Sequence, residues 1–345
     1  MMSPSVRAGL VLAIASALCA CSGGLSTAPS AAAIPGRAST SVARWSNLAH
    51  PDRRPSWISP EIAAAKSPLL FVSDAGTADV YIYRMPGLKL LARITGFSQP
   101  QGECSDNKGN VWVTDTNADA VYELSHSGRL ENVLKSTAGH PDACAWDSTT
   151  GNLAVMTLFS GSGSSGAVVV YRKGSGTPDQ YANPKQVYYN FGGYQDGNLF
   201  FDGRDAHGKF MLSELPKGAK AAHTIVLSGG TIYFPGMVQW DANANDLIVG
   251  DQACGQTYTS CLYQVNTASK TGTIAGTTDL ESSSGGEVCD LVQGVEYDGE
   301  IAGSDNDFCG SAAGTTYLWA YPAGGAPTNE NDHVDTTPVG ATISQ

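Results

Sequence analysis

The sequence predicts an all-β fold: a six-bladed β-propeller with four-stranded blades and a ring closed by the C-terminal strand. Three observations carry this expectation. A motif repeats with a period in the forties, each repeat holds several short strands, and the C-terminal segment matches the start of a repeat. The motif is clearest in "SDNKGNVWVTD" (105–115). It recurs as "WDSTTGNLAVMT" (146–157), "YQDGNLFFDG" (194–203), "WDANANDLIVGD" (240–251) and "YDGEIAGSD" (297–305). A half-copy, "SPLLFVSD" (67–74), opens the series without its leading strand. The final aligned positions, 74, 115, 157, 203, 251 and 305, lie 41, 42, 46, 48 and 54 residues apart. That period, with several strands in each copy, is the signature of propeller blades.

The N-terminus comes first in the chain. One positive charge, Arg7, precedes the apolar run "AGLVLAIASALCA", too short to span a bilayer and suited to a signal-peptide core. "LCAC" (18–21) resembles the lipobox of bacterial lipoproteins, which implies cleavage before Cys21 and lipidation of that residue. A plain secretory signal with an incidental cysteine is the alternative. Residues 1–20 are thus read as a signal peptide and residues 21–66 as a flexible tether, small, polar and Pro-containing. Within the tether, Ser59 followed by Pro60 is a helix-start signal for a short helix, and Trp57 is expected to pack on the domain edge. Residues 67–345 form the propeller. The expected location is a bacterial cell envelope, with the domain exported to the periplasmic or cell-surface side.

Within each repeat the motif is a polar turn with Asp and Gly or Asn, then about four apolar residues. Segments such as "DVYIYRM", "AVYELS", "AVVVYR", "KFMLSELP", "CLYQVN" and "YLWAYPAG" supply the later strands, β-branched and aromatic between Gly, Pro, Asn or Ser. The chain ends in "PVGATISQ" (338–345), which matches "PQGECSD" (100–106) at Pro, Gly and Ser. This segment is therefore expected to serve as the missing inner strand of the first blade, which removes open sheet edges.

Composition narrows the function. The chain carries 20 basic and 32 acidic residues, a net charge of −12, so a phosphate backbone is repelled and nucleic-acid binding is not expected. Besides Cys19 and Cys21 six cysteines remain, an even number that reads as three disulfides in an exported protein. Fifteen pairings are open. Placed on the repeats, Cys104 and Cys144 fall on neighbouring inner strands, Cys254 and Cys261 flank one loop, and Cys289 and Cys309 fall in the last blade. Neither cysteines nor histidines show zinc-site spacing, and there is no G-x-S-x-G or phosphate loop.

"QPQGECSDNKGNVWVTDTNADAVYEL" (99–124) resembles an NHL repeat, and the likeness extends loosely over 69–345, within the NHL and gluconolactonase-like group of six-bladed propellers. The resemblance implies ligand binding over the central channel, on loops leading into the inner strands and loops after the second strands. On that face the repeat positions place Asp74, Asp115, Asn117, Asp251 and Asp305 after second strands. Gln101, Glu103, Asp142, Gln239, Asp290 and Gln293 lie where inner strands begin. A ring of oxygens suits Ca²⁺ or another divalent cation, or a cationic or polyhydroxylated ligand. Asp and Asn at such points also shape turns through their own backbone.

Two classes of function follow. The first is a lipid-anchored, monomeric binding or scaffold module at the envelope, with a protein, glycan or small molecule as ligand. Tyr188, Tyr189, Phe191 and Tyr194 are candidates for its aromatic surface or for blade-packing core. The alternative is a divalent-metal-dependent hydrolase, a lactonase, with Glu103, Asn117, Asp251 and Asp305 as candidate ligands by the resemblance. A propeller lyase acting through His and Mg²⁺ would call on His140.

Overall fold

A computed structural model describes residues 55–345 apart from 137, 160–164, 258, 307–313 and 333–335. Each repeat folds as an up-and-down antiparallel meander, because a short apolar run followed by a tight polar turn leaves the chain no longer path than back along itself. The first comprises β2 (Leu69–Asp74), β3 (Asp79–Arg84) and β4 (Lys89–Ile94), with β1 (Trp57–Ile58) laid against the outer side of β4. Next come β5 (Pro100–Ser105), β6 (Val111–Asp115), β7 (Ala120–Leu124) and β8 (Leu130–Lys135). The third is β9 (Pro141–Trp146), β10 (Leu153–Thr157), β11 (Val168–Tyr171) and β12 (Asp179–Tyr181). Then follow β13 (Tyr188–Gln195), β14 (Asn198–Arg204), β15 (Phe210–Leu215) and β16 (His223–Ser228). After them run β17 (Pro235–Asp241), β18 (Asp246–Asp251), β19 (Cys261–Ala268) and β20 (Thr271–Asp279). The last is β21 (Leu291–Tyr297), β22 (Glu300–Asp305), β23 (Thr315–Ala320) and β24 (Asn329–Asn331), before the terminal strand β25 (Pro338–Ser344).

β25 pairs antiparallel with β2, from Leu69 opposite Ser344 to Asp74 opposite Pro338, so the first sheet is built from both ends of the described chain. The strands that begin each meander neighbour one another in the order β25, β5, β9, β13, β17, β21 and back to β25. The sheets thus stand around a central shaft in a β-propeller arrangement. Strands second in their sheets, β2, β6, β10 and β18, are buried on both faces because each sheet is packed between two others. This is why they read as continuous apolar runs.

The expectation of six separate four-stranded blades is corrected in two places. The first sheet has five strands, in the order β1, β4, β3, β2, β25. The fourth and fifth meanders form a single eight-stranded sheet, joined where Val226, Leu227 and Ser228 of β16 pair in parallel with Thr271, Gly272 and Thr273 of β20. Both strands are outermost, with unsatisfied backbone edges, and such edges pair when they can reach each other. Gly272 makes the reach possible: a Cβ there would come within 2.8 Å of the Leu227 side chain.

The turns explain why the motif repeats. Asp106 accepts from the backbone N–H of Lys108 at 2.8 Å and of Asn110 at 2.9 Å, and Gly109 takes φ of +79° to bring the chain round. Asp241 does the same for Asn243 at 2.8 Å, with Asn245 at φ of +58°. The carboxylate closes the turn, and a residue tolerant of the left-handed region completes it.

Part of the segment that the sequence assigns to the tether is joined to the first sheet. β1 pairs with β4, Trp57 opposite Arg93. Residues Pro60–Ala64 then form a 3-10 turn in which Ser59 accepts from Glu61 N–H at 3.2 Å and Ile62 is buried. Cys21 and the signal region lie outside the described residues. Among the described residues no helix is long and apolar enough to cross a membrane.

Two of the proposed disulfides are present. Cys104–Cys144 ties β5 to β9, and Cys254–Cys261 staples the loop between β18 and β19. Cys289 is also disulfide-bonded; Cys309, its expected partner, lies outside the described residues.

Candidate functional site

The start of each inner strand pairs with the end of the next strand, as in Pro100 with Asp115, Tyr188 with Arg204 and Pro235 with Asp251. Both sets of loops singled out by the sequence therefore share one face of the ring. Most of the carboxylates there turn inward to the protein's own backbone. Asp115 accepts from the N–H groups of Ser98 (2.7 Å), Gln99 (2.8 Å) and Ala118 (3.1 Å). Asp251 holds Tyr233 (3.0 Å), Phe234 (2.9 Å) and Ala253 (2.9 Å) in the same way. Asp305 holds Cys289 and Asp290, both at 3.1 Å, and Asp74 holds Gly76 (2.8 Å), Thr77 (3.0 Å) and Thr337 (3.1 Å).

Asp202, another carboxylate after a second strand, clamps Phe191 (2.9 Å) and reaches Gly236 (3.2 Å) of the following meander. Its burial pushes the carboxyl well above the usual range, opposed by these two backbone bonds. In the third meander the equivalent position is Thr157, whose hydroxyl accepts from Ala167 N–H at 2.8 Å and donates to its carbonyl at 3.0 Å. Where the repeat carries the acid, it is thus a clamp that fastens the loop feeding an inner strand, and the third meander is the exception.

Three groups on or below this face are not used up in that way. Asp142, at the start of β9, is 8% exposed and accepts from Asn190 Nδ2 at 2.8 Å. Burial raises its carboxyl to about 7, against the pull of Asn190 and of the Arg204 charge. Asn190 on β13 keeps a buried Oδ1 with no hydrogen-bond partner, and Gln99, 1% exposed, keeps a bare Oε1. Together with Gln101, Thr116, Leu158, Phe191, Phe234, Gln252 and Val292 they line a recess of about 40 Å³ at the mouth of the shaft. That is space for one or two water-sized groups.

Beside the recess, half-buried rings form an arc. His140 Nδ1 lies 2.8 Å from Asp119 and its ring meets Phe159 edge-on at 5.5 Å. Phe159 meets Tyr188 at 6.2 Å. Arg204, 6% exposed, is held between the Tyr188 and Phe234 rings with its carbon 4.9 and 4.8 Å from their centroids. Of the aromatics named from sequence, Tyr188 belongs to this surface. Tyr189 is core, Phe191 is buried in the core and also lines the recess, and Tyr194 lines the other end of the shaft.

Inside the shaft Gln293 bridges to β5: its Oε1 accepts from Glu103 N–H at 2.8 Å and its Nε2 donates to Glu103 carbonyl at 2.9 Å. Gln239 makes the same pair of bonds with Glu296, at 3.0 and 2.8 Å. Below lies a polar chamber of about 250 Å³ lined by Glu103, Ser105, Trp146, Tyr194, Trp240 and Thr342, among others. Glu103 is 1% exposed, neither carboxyl oxygen has a partner, and burial drives it well above the usual carboxylate range.

The metal set nominated from sequence does not assemble. Asn117 is exposed on its turn, Asp251 and Asp305 hold backbone amides, and Glu103 faces the shaft below the mouth. Among the described residues the one group of three His, Cys, Asp or Glu ligand atoms within 4.8 Å is Cys254, Cys261 and Asp279, and its sulfurs are joined in a disulfide. Gln99 and Asn190 were missed by the sequence reading. Gln99 directly precedes β5, a position the repeat marks, whereas nothing in the repeat marks Asn190 within β13.

No family model matches the sequence, and no curated protein sequence matches it. Similar solved structures establish the propeller fold. A chain in a crystal structure of a nidogen/laminin complex aligns with TM-score 0.63 at 12% identity, over 81% of this chain and 99% of that one. A protein of unknown function from Bacteroides caccae aligns with TM-score 0.59 at 13% identity, over 81% and 100%.

Proposed function

We propose that the chain is a binding module of the bacterial cell envelope, exported, lipid-anchored through Cys21, and six-bladed when the eight-stranded sheet is counted as two blades fused at their outer edges. Six neighbouring inner strands around one shaft support that count. The observation that carries the binding reading is the mouth of the shaft. There, Gln99, Gln101, Asp142, Asn190 and Gln252 line one recess beside half-buried rings, on loops that Asp115, Asp202 and Asp251 already hold in place. Loops fixed before a ligand arrives lose little freedom on binding, which favours recognition.

Photo-crosslinking in intact cells tests this. A photoreactive residue at Phe159, on the mouth face, is expected to capture a discrete envelope component, and one at Asn107, on the opposite face, is not. Equal capture at both positions, or none at Phe159, overturns the reading. Replacing Cys21 by Ser is expected to release the protein from the membrane fraction; retention there overturns the anchor.

A further inference from the structure

Arg204, the last residue of β14, stands on the mouth face opposite Tyr188 and is 6% exposed. Its guanidinium carbon lies over the rings of Tyr188 and Phe234, and Phe234 also lines the recess. Ring faces attract a cation but do not satisfy its N–H groups as an oxygen would. Among the described residues no carboxylate or carbonyl accepts from this guanidinium, although burial disfavours its charge. The two acids whose charge reaches it are committed elsewhere. Asp142 accepts from Asn190, and Asp202 accepts from the N–H groups of Phe191 and Gly236. Burial also pushes both carboxyls toward their neutral forms. Buried charges in proteins are normally paired, so an unpaired cation at the rim of a recess is a place for a counter-ion.

The nitrogens of Arg204 show where that counter-ion arrives. Only Nε is enclosed without a partner. The two terminal nitrogens make no hydrogen bond either, so they carry accessible surface, side by side at the end of the fork. We propose that Arg204 receives a carboxylate group at these two nitrogens, supplied by an acidic side chain of a partner protein or by a free small acid. The inference rests on the binding reading above and names its ligand chemistry. A planar carboxylate offers two oxygens to two parallel N–H donors, which is the bidentate match of guanidinium. Its carbon stem would meet the half-buried rings of Tyr188 and Phe159, which touch each other edge-on. The net charge of −12 opposes any anion, and opposes a doubly charged phosphate more than a singly charged carboxylate. That repulsion is screened beyond about 8 Å at physiological salt, whereas the contact with Arg204 is not.

The test uses full-length protein and ligand-observed NMR titration with small probes. Butyrate is expected to bind saturably and to raise the melting temperature, while butyramide, the neutral molecule of the same shape, does neither. Arg204→Met should weaken butyrate about tenfold or more, the loss of a charge-assisted bond. It should melt no lower than the wild type, because an unpaired buried charge is removed. Lys108→Met removes one positive charge from the opposite face and should leave butyrate binding unchanged; an equal loss there makes the effect one of net charge and overturns the site. Equal binding of butyramide overturns the inference on the wild type alone, whatever the variants do. Inorganic phosphate binding more tightly than butyrate overturns the carboxylate assignment. An Arg204→Met protein that melts lower and still binds butyrate makes Arg204 a structural residue only. A blocked glutamate peptide binding more tightly than butyrate assigns the carboxylate to a partner protein, and the reverse assigns it to a free small acid. Crosslinked capture at Phe159 that survives Arg204→Met overturns the carboxylate inference and leaves the binding reading standing. Saturable butyrate binding without any capture does the opposite.

Discussion

Asp251 and Glu103 are both nearly inaccessible carboxylates beside the shaft, and they have opposite surroundings. Asp251 holds three backbone N–H groups at 2.9 to 3.0 Å. Both carboxyl oxygens of Glu103 are bare. The first is part of the scaffold: remove it and three backbone amides, one buried and two partly so, lose their acceptor. The second contributes nothing to folding as an anion, since burial without donors favours its neutral form. Acidic residues at repeat positions are therefore not equivalent, and the difference lies in which loop passes over them.

The largest test of this contrast is Asp251→Ala. It should cost about 2–4 kcal/mol in denaturant unfolding, because three backbone donors are orphaned together. A loss under about 0.5 kcal/mol, the range of ordinary surface changes, would break the scaffold half of the comparison. Glu103→Gln is the next step, with the opposite sign. Glu103 has its native pKa raised, so the unfolded chain ionises first, near pH 4, and stability falls as pH rises through the interval up to the native pKa. The Gln variant escapes that loss. It should match the wild type at pH 4 and exceed it at pH 8, by up to about 1.4 kcal/mol for each pH unit inside the interval. Thermal melts across pH measure this. A Gln variant less stable than wild type at pH 8 would place a counter-charge beside Glu103 and overturn the assignment. The smallest effect belongs to Asn117→Ala: exposed and outside the recess, it should not change stability beyond about 0.5 kcal/mol in the same denaturant unfolding.

The site was legible only in part. Gln101 and Asp142 are recognisable because each sits just inside a strand that opens a repeat, and the structure places both in the recess. Asp74, Asp115, Asp251 and Asp305 share the face, yet their oxygens are spent on amides elsewhere in the chain, as Asp115 is on Ser98 and Gln99. Asn190 has no repeat signature at all. Its role depends on the approach of β13 to β9, which sets its amide against Asp142.

The sequence by itself determined the all-β class and the repeat with its turns, because these depend on local chemistry: Asp closing a turn and Gly or Asn taking positive φ. Tertiary structure alone decided which carboxylates are clamps and which are bare, whether the shaft is bridged by Gln293 and Gln239, and that β16 and β20 join two repeats into one sheet. Those outcomes depend on distances between segments far apart in the chain, such as Gln293 and Glu103, 190 residues from each other. A residue's type states which bonds it can make, and only packing states which donor comes within reach.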